Sequence, residues 1–368
     1  MISEERNYKV LTAKQAKSIV NFYLFNIEGI TLGLPEINDR YHIWKVSVLF
    51  NGNVVGEVAV DAYTALILEK HSSSKSMILS RIQKAGKKSM KKKPFKYVIS
   101  PLPNTIVQGR AENALQDIPD GSVDLIFTSP PYFNARKEYS EYETYEDYLS
   151  LMRKVITEGC RVLADGRFFV INTSHVLLPR ATRNESSVRI AVPFDLHRIF
   201  MESGFEFVDD IIWEKPEGAG WASGRGRRFS ADRNPLQYKT VPVTEYVMVY
   251  RKKSSILIDE FIRKHPCPEL VKASKIADGY ERTNIWRISP ARDKRHPAVF
   301  PQKLAENVIR YYSFVNDVVL DPFAGIGTTA KVCAELNRRF YMIESNITFS
   351  KYMVSDLLHY KDLSFEIV

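Results

Sequence analysis

Val318-Val319-Leu320-Asp321-Pro322-Phe323-Ala324-Gly325-Ile326-Gly327-Thr328-Thr329 decides the fold. An apolar run ends on an acid, a loop with two glycines follows, and Thr328–Leu336 has helical spacing. Arg339–Ile343 is the next strand, so the stretch reads as one strand–loop–helix–strand unit. Working outward, the same alternation begins near residue 98. Val123–Phe127 is a short apolar strand, Thr144–Leu163 an amphipathic helix, and Asp165-Gly166 turns into the strand Arg167–Ile171. Pro193–Ser203 is a helix closed by Gly204. Phe205–Trp213 and Val243–Tyr250 are further strands. Strands alternating with helices predict an α/β fold around a parallel sheet.

The two glycines let the backbone come close to a ligand, and the helix behind them offers unpaired N–H groups. Asp321 ends the first strand and Glu344 ends the next, 23 residues later. That is near the spacing at which an acid meets a ribose hydroxyl pair. The third glycine of a dinucleotide fingerprint is missing, so a nucleoside with a small polar tail fits better than a pyrophosphate. A plain strand–turn–helix with glycines for geometry remains the alternative.

Val123–Phe127 runs into Thr128-Ser129-Pro130-Pro131-Tyr132. In α/β sheets, loops at the carboxyl ends of strands face the binding crevice. The two prolines stiffen the loop and remove donors, while their carbonyls and the Ser129 hydroxyl remain acceptors. Tyr132 adds a flat stacking face. Rigid acceptors beside an aromatic suit the exocyclic amino group of a flat base, although a Ser-Pro-Pro surface turn would read the same way.

The rest of the chain sets bounds. It has 368 residues, enough for two or three domains, with ordinary globular composition. No apolar run approaches the ~20 residues of a membrane span, and the first ten residues lack a signal-peptide core. Cys160, Cys267 and Cys333 are scattered, with no metal or disulfide spacing, so a reducing cytoplasm is the default. Pro266-Cys267 lies in no strand-to-loop context and reads as incidental. His175, His296 and Asp124 read as packing or local hydrogen-bonding residues. Of the net charge of +9, ten basic residues and no acid fall between Lys70 and Ser100. A polyanion such as nucleic acid is the natural partner, with a solvated linker as the alternative. We therefore expect a small N-terminal α+β unit over 1–69, a basic linker over 70–97 and the α/β core over 98–368. In the first, Thr12 caps a helix over Ala13–Phe25, and Asn51-Gly52-Asn53 joins the hairpin strands Trp44–Phe50 and Val54–Val60.

Taken together, the motifs resemble those of the S-adenosylmethionine-dependent amino-methylating DNA methyltransferases. Thr128–Tyr132 is similar to the family's catalytic loop, Asp321–Thr329 to its methionine-binding loop, and His296-Pro297-Ala298-Val299-Phe300-Pro301 to the region preceding that loop. The catalytic loop comes first, which resembles the β class. Ser129, where many adenine enzymes have Asp, resembles the cytosine-N4 subgroup. The resemblance covers roughly residues 98–358. It implies a Rossmann-like methyltransferase core with a mixed, mostly parallel sheet and an inserted target-recognition region over 216–295.

The resemblance also implies roles. Ser129 and the Pro130 carbonyl would hold the target amino group, Pro131 would stiffen the loop, and Tyr132 would stack on a flipped base. Thr128, Asp321, Phe323, Gly325, Gly327 and Thr328 would line the cofactor, Glu344 would bind its ribose, and Phe300 and Pro301 would pack beside it. Family members often carry Gly-Asp ahead of the catalytic strand. Here the pair is Gly109-Arg110, and Glu112 two residues on would stand in at the adenine. No metal is called for. Arg225, Arg227, Arg228 and Arg233, with Trp221, Phe229 and Tyr238, would meet duplex DNA, and Lys91, Lys92 and Lys93 would add salt-dependent affinity. Trp286, Arg287, Arg292, Lys294 and Arg295 are the better candidates for base readout. The implied activity is N4-methylation of cytosine in a restriction–modification system, with a cognate endonuclease as a further partner. Adenine-N6 methylation, RNA amino-group methylation and a non-catalytic DNA-binding shell are the rival readings.

Overall fold

A computed structural model describes residues 7–86, 95–133, 144–178, 182, 184–185, 187–216, 235–236, 240–296 and 298–368. The chain divides into two compact units, Met1–Pro94 and Phe95–Val368.

The first unit contains α1 (Ala13–Tyr23), β1 (Ile30–Leu32), β2 (Glu36–Asn38), β3 (Ile43–Phe50), β4 (Asn53–Asp61) and α2 (Lys75–Gly86). β3 pairs antiparallel with β1 and β2 along one edge and with β4 along the other. Asn51 and Gly52 both take positive φ, the backbone that lets a two-residue turn follow the strand twist. A reciprocal Thr12–Gln15 capping box starts α1. The expectation of a linker from residue 70 needs correction. Lys75–Gly86 is helical, and its Ile78 is fully buried with Val46, Val48 and Val58. Lysines every few residues obscured an apolar position that the sheet requires. Lys91, Lys92 and Lys93 lie outside the described residues.

The second unit runs β5 (Thr105–Gln108), α3 (Ala111–Ala114), β6 (Val123–Thr128), α4 (Tyr145–Val162), β7 (Leu163–Thr173), β8 (Val176–Leu178), β9 (Val188–Ile190), α5 (Val192–Glu202), β10 (Phe205–Glu214), β11 (Thr244–Lys252), α6 (Ile258–Arg263), α7 (Pro268–Ala273), β12 (Ile285–Arg287), α8 (Gln302–Tyr312), β13 (Val318–Asp321), α9 (Thr328–Glu335), β14 (Arg339–Glu344), α10 (Ile347–Leu357) and β15 (Glu366–Ile367). Nine of these strands form one sheet, ordered β12-β10-β11-β7-β6-β13-β14-β5-β15. Every pairing is parallel except those of β11 with β10 and β7. This is the mixed, mostly parallel Rossmann-like sheet expected.

The core lies on both faces of the sheet. Ile126, Phe169 and Ile171 pack with α4 and α5, while Leu125, Phe127 and Val170 pack with α8, α9 and α10. Strands sandwiched this way are apolar throughout, which is why β6 is buried at all six positions. From β6 the chain moves to β7 on one side, whereas β13 lies on the other. The strand order therefore reverses at β6, and the crevice at the carboxyl ends of β6 and β13 is the favoured ligand site. At the opposite, amino end, Arg167 is buried with Asp124 and Asp317. Asp124 also accepts the Val318 N–H at 2.9 Å, the local hydrogen-bonding role read for it. Trp286 is 3% exposed, packed in the core against Tyr311. It is therefore a core residue and no base reader. Arg295 is held by Asp293 and Asp356, and Arg287 by Glu214.

Candidate active site

A cleft of about 930 Å³ opens at that crevice. Two loops meet in it, and one hydrogen bond joins their bases. Thr128, the last residue of β6, donates its hydroxyl to Asp321 at 2.7 Å, and Asp321 ends β13. Thr329 donates to the other Asp321 oxygen at 2.6 Å, and the Phe323 N–H adds a third contact at 3.1 Å. Asp321 is wholly buried, and burial raises its pKa to about 6 despite these donors.

Ser129, Pro130, Pro131 and Tyr132 all line the cleft, as do Phe300, Phe323, Gly325, Thr328, Glu344 and Glu112. Thr128, Asp321, Gly327 and Pro301 do not. The structure corrects their expected place: they sit behind the wall and set its shape. The glycines also relieve contacts within the protein itself. Both have positive φ, 55° at Gly325 and 77° at Gly327. A Cβ on Gly325 would lie 3.2 Å from the His296 ring, and one on Gly327 only 2.5 Å from Met353 of α10. The glycines thus let the loop pack on its own scaffold and leave the cleft open.

At the far side, Glu344 accepts the Gly325 N–H at 2.7 Å through one oxygen and the Asn346 N–H at 2.7 Å through the other. Burial raises its pKa. A carboxylate oxygen takes more than one donor, so each keeps capacity for a hydroxyl. Ile326, Ile347, Phe349 and Phe300 supply apolar surface around it. Glu112 lines the same region, ion-paired with Arg110 at 2.7 Å. A diol acceptor, apolar walls and the N-terminus of α9 together fit a nucleoside carrying a polar tail. His296 packs on Phe349 and accepts the Ala298 N–H at 3.2 Å, the packing and local hydrogen-bonding role read for it, and it also lines the cleft.

Around Ser129 the structure assembles side chains that sequence reading missed. Asn172 at the end of β7 donates to Ser129 Oγ at 3.2 Å, to the Tyr132 hydroxyl at 3.3 Å and to Glu245 at 2.8 Å. Tyr132 donates to Glu245 at 2.6 Å. Lys215 pairs with Glu245, and its ammonium lies 4.5 Å from the Trp213 ring. The signal was present: Asn172, Lys215 and Glu245 are polar residues at strand ends, at the same end of the sheet as Ser129. Arg292 lines the cleft, whereas Arg225, Arg227, Arg228 and Arg233 lie outside the described residues. Cys267 precedes α7, away from the cleft lining. Among the described residues, no group of three or more His, Cys, Asp or Glu is arranged to hold a metal, and no helix is long and apolar enough to cross a membrane.

A Rossmann-like sheet whose switch-point cleft joins a nucleoside-type pocket to a Ser-Pro-Pro-Tyr loop defines the class as methyltransferase-like. The family follows from comparison. A model of the N6/N4 methyltransferases, described as DNA methylase, matches residues 123–355, and the chain belongs to that family. It is 30% identical over 259 residues to the Type II methyltransferase M.BglII of Bacillus subtilis, covering 66% of this chain and 65% of that protein. It is 27% identical to the Type II beta methyltransferase M.BslI of Bacillus sp. (strain NEB-606), covering 63% of this chain and 25% of that protein. The chain thus spans less than two thirds of the length of either relative. Among solved structures, TTHA0409 of Thermus thermophilus, described as a DNA modification methylase and complexed with S-adenosyl-L-methionine, matches with a TM-score of 0.58. That match has 26% identity and covers 72% of this chain and 98% of the other.

Proposed function

We propose that the protein methylates an exocyclic amino group of a base in duplex DNA, using S-adenosylmethionine, and that the base is cytosine, modified at N4. The observation that carries this reading is the convergence of the Ser129–Tyr132 loop and the Asp321–Thr328 loop on one cleft, tied by the Thr128–Asp321 hydrogen bond. When bound, S-adenosylmethionine would supply an electrophilic methyl group on its sulfonium, and transfer to the amino nitrogen would leave S-adenosylhomocysteine and release the nitrogen's proton to solvent.

The chain's own residues position the partners. Glu344 would hold the ribose hydroxyls, and Phe300, Phe349 and Ile326 would enclose the flat part of the cofactor. The Pro130 carbonyl and Ser129 accept from the amino group, which turns its lone pair toward the methyl. Much of the acceleration then comes from holding donor and acceptor in line. Tyr132 presents its ring to the extruded base while Glu245 fixes its hydroxyl. Ser129 at the first loop position supports cytosine over adenine, and the type II relatives support a restriction–modification setting. The Arg-rich stretch 225–233 and Lys91–Lys93 would hold the DNA backbone.

The test is methyl transfer from labelled S-adenosylmethionine to unmodified duplex DNA. Ser129→Ala lowers the transfer rate about 10²-fold while cofactor affinity stays within twofold. Equal loss of both would contradict the division of roles between the two loops.

A further inference from the structure

We infer that Arg292 receives the carboxylate of the cofactor's amino-acid tail, and that Arg295, clamped between Asp293 and Asp356, positions the turn that presents it. The inference rests on the cofactor site proposed above and deepens it.

Arg110, Lys215 and Arg292 line the cleft. Arg110 pairs with Glu112 and Lys215 with Glu245. Arg292 is exposed and, among the described residues, makes no hydrogen bond or ion pair. Its forked guanidinium is therefore open to an anion that the ligand brings, and the fork matches a carboxylate. The glycine loop has little left to offer such a group. The Gly325 N–H is spent on Glu344 and the Gly327 N–H on the Ala324 carbonyl. The turn that follows Arg292 lies against that same loop. It is closed by the His296 N–H donating to the Asp293 carbonyl at 3.3 Å. His296 then packs on Phe349, with Nε2 3.2 Å from where a Gly325 Cβ would stand. With the ribose assigned to Glu344 and the methyl acceptor to Ser129, the wall formed by the glycine loop and this turn is left for the amino-acid branch.

Between β12 and α8 the described residues form no helix or strand, so side chains must hold the turn. Arg295 does this from its outer side. It donates to both Asp293 oxygens, the shortest contact being 2.8 Å, and to the two Asp356 oxygens at 2.8 and 3.0 Å. Asp356 lies on α10 and also accepts from Lys331 of α9 at 2.9 Å. Paired contacts of this kind, joined in a network, fix geometry better than an isolated surface pair. Hydrogen bonds from Arg295 lower the Asp293 pKa to about 2, so this acid stays charged and engaged at neutral pH. With Asp293 committed to Arg295, the charge of Arg292 beside it is left for the ligand.

The test uses the full chain and two ligands, S-adenosylhomocysteine and S-adenosyl-3-thiopropylamine, which is the same molecule without its carboxyl group. Calorimetry gives both affinities. Their ratio is compared between wild type and variants, so that general damage to the cleft, which weakens both ligands alike, cancels. We expect Arg292→Gln to lose about tenfold of the preference for the carboxylate, and Arg292→Lys, which keeps the charge, to retain most of it. Arg292 is exposed and without partners, so its replacement leaves the fold intact. Arg295→Gln should lose about threefold of the preference, whereas a merely structural role would weaken both ligands equally. A full preference in Arg292→Gln would overturn the assignment. If that variant instead weakens duplex binding and lowers its salt dependence, the anion is a DNA phosphate. A full preference in Arg295→Gln would overturn its positioning role. A wild type that binds neither ligand would overturn the cofactor site itself.

Discussion

Asp321 shows how one wholly buried carboxylate can organise the loops of a site from behind its wall. It ties β6 to the glycine loop through Thr128, Thr329 and the Phe323 N–H. Burial lifts its pKa from the usual 3.8 to about 6. The folded state therefore holds this proton more tightly than the unfolded chain. Its contribution to stability is complete below about pH 4 and is lost as the pH rises through 6. Asp321→Asn should remove that slope from urea-unfolding curves taken between pH 4 and 7, a change of a few kcal/mol. An unchanged slope would place the titration elsewhere. Gly327 makes the second residue-scale prediction. With a φ of 77° and Met353 2.5 Å from any added Cβ, Gly327→Ala should cost about 2–4 kcal/mol. Met353→Ala should recover part of that cost, and strict additivity of the two changes would contradict the packing account. The sequence made Ser129 and Glu344 readable because each follows a strand end at a loop of known use. For Asn172 and Glu245 the local signal is only a polar residue at a strand end, and their meaning lies in contact with each other across 73 residues.

At the scale of elements, periodicity located the strands and helices whose apolar residues are continuous, such as β6 and α4. α4 even begins at the Thr144 capping box. It failed where charge masked burial or where elements are short. β5 and β15 occupy one edge of the sheet and carry few apolar residues for a pattern to register. α2 reads as linker because lysines surround it, yet Ile78 enters the core of the N-terminal unit, and Gly56 of β4 has no Cβ because Ile78 lies 2.8 Å from where one would be. Ile78→Ala should therefore destabilise that unit by about 2–5 kcal/mol, measured by hydrogen exchange of the amides of β3 and β4. A linker residue would leave their exchange unchanged.

At the scale of the molecule, the sheet order places the two loops at the one point where strand direction of travel reverses, and the cleft follows from that topology. The charge distribution adds a second feature: outside Lys70–Ser100 the chain is close to neutral. Replacing Lys91, Lys92 and Lys93 with Gln should weaken duplex binding equally for all sequences and reduce the slope of log affinity against log salt by about 2–3. An unchanged slope would remove the segment from the DNA interface. The central claim is the identity of the reaction, and nucleoside mass spectrometry tests it most directly. Unmodified duplex DNA is incubated with the protein and S-adenosylmethionine, digested, and compared with N4-methylcytosine, N6-methyladenine and 5-methylcytosine standards. The account predicts N4-methylcytosine. N6-methyladenine would keep the site and its amino-transfer mechanism but contradict the Ser129 argument, and DNA without any methylated base, from protein that binds the cofactor, would contradict the account itself.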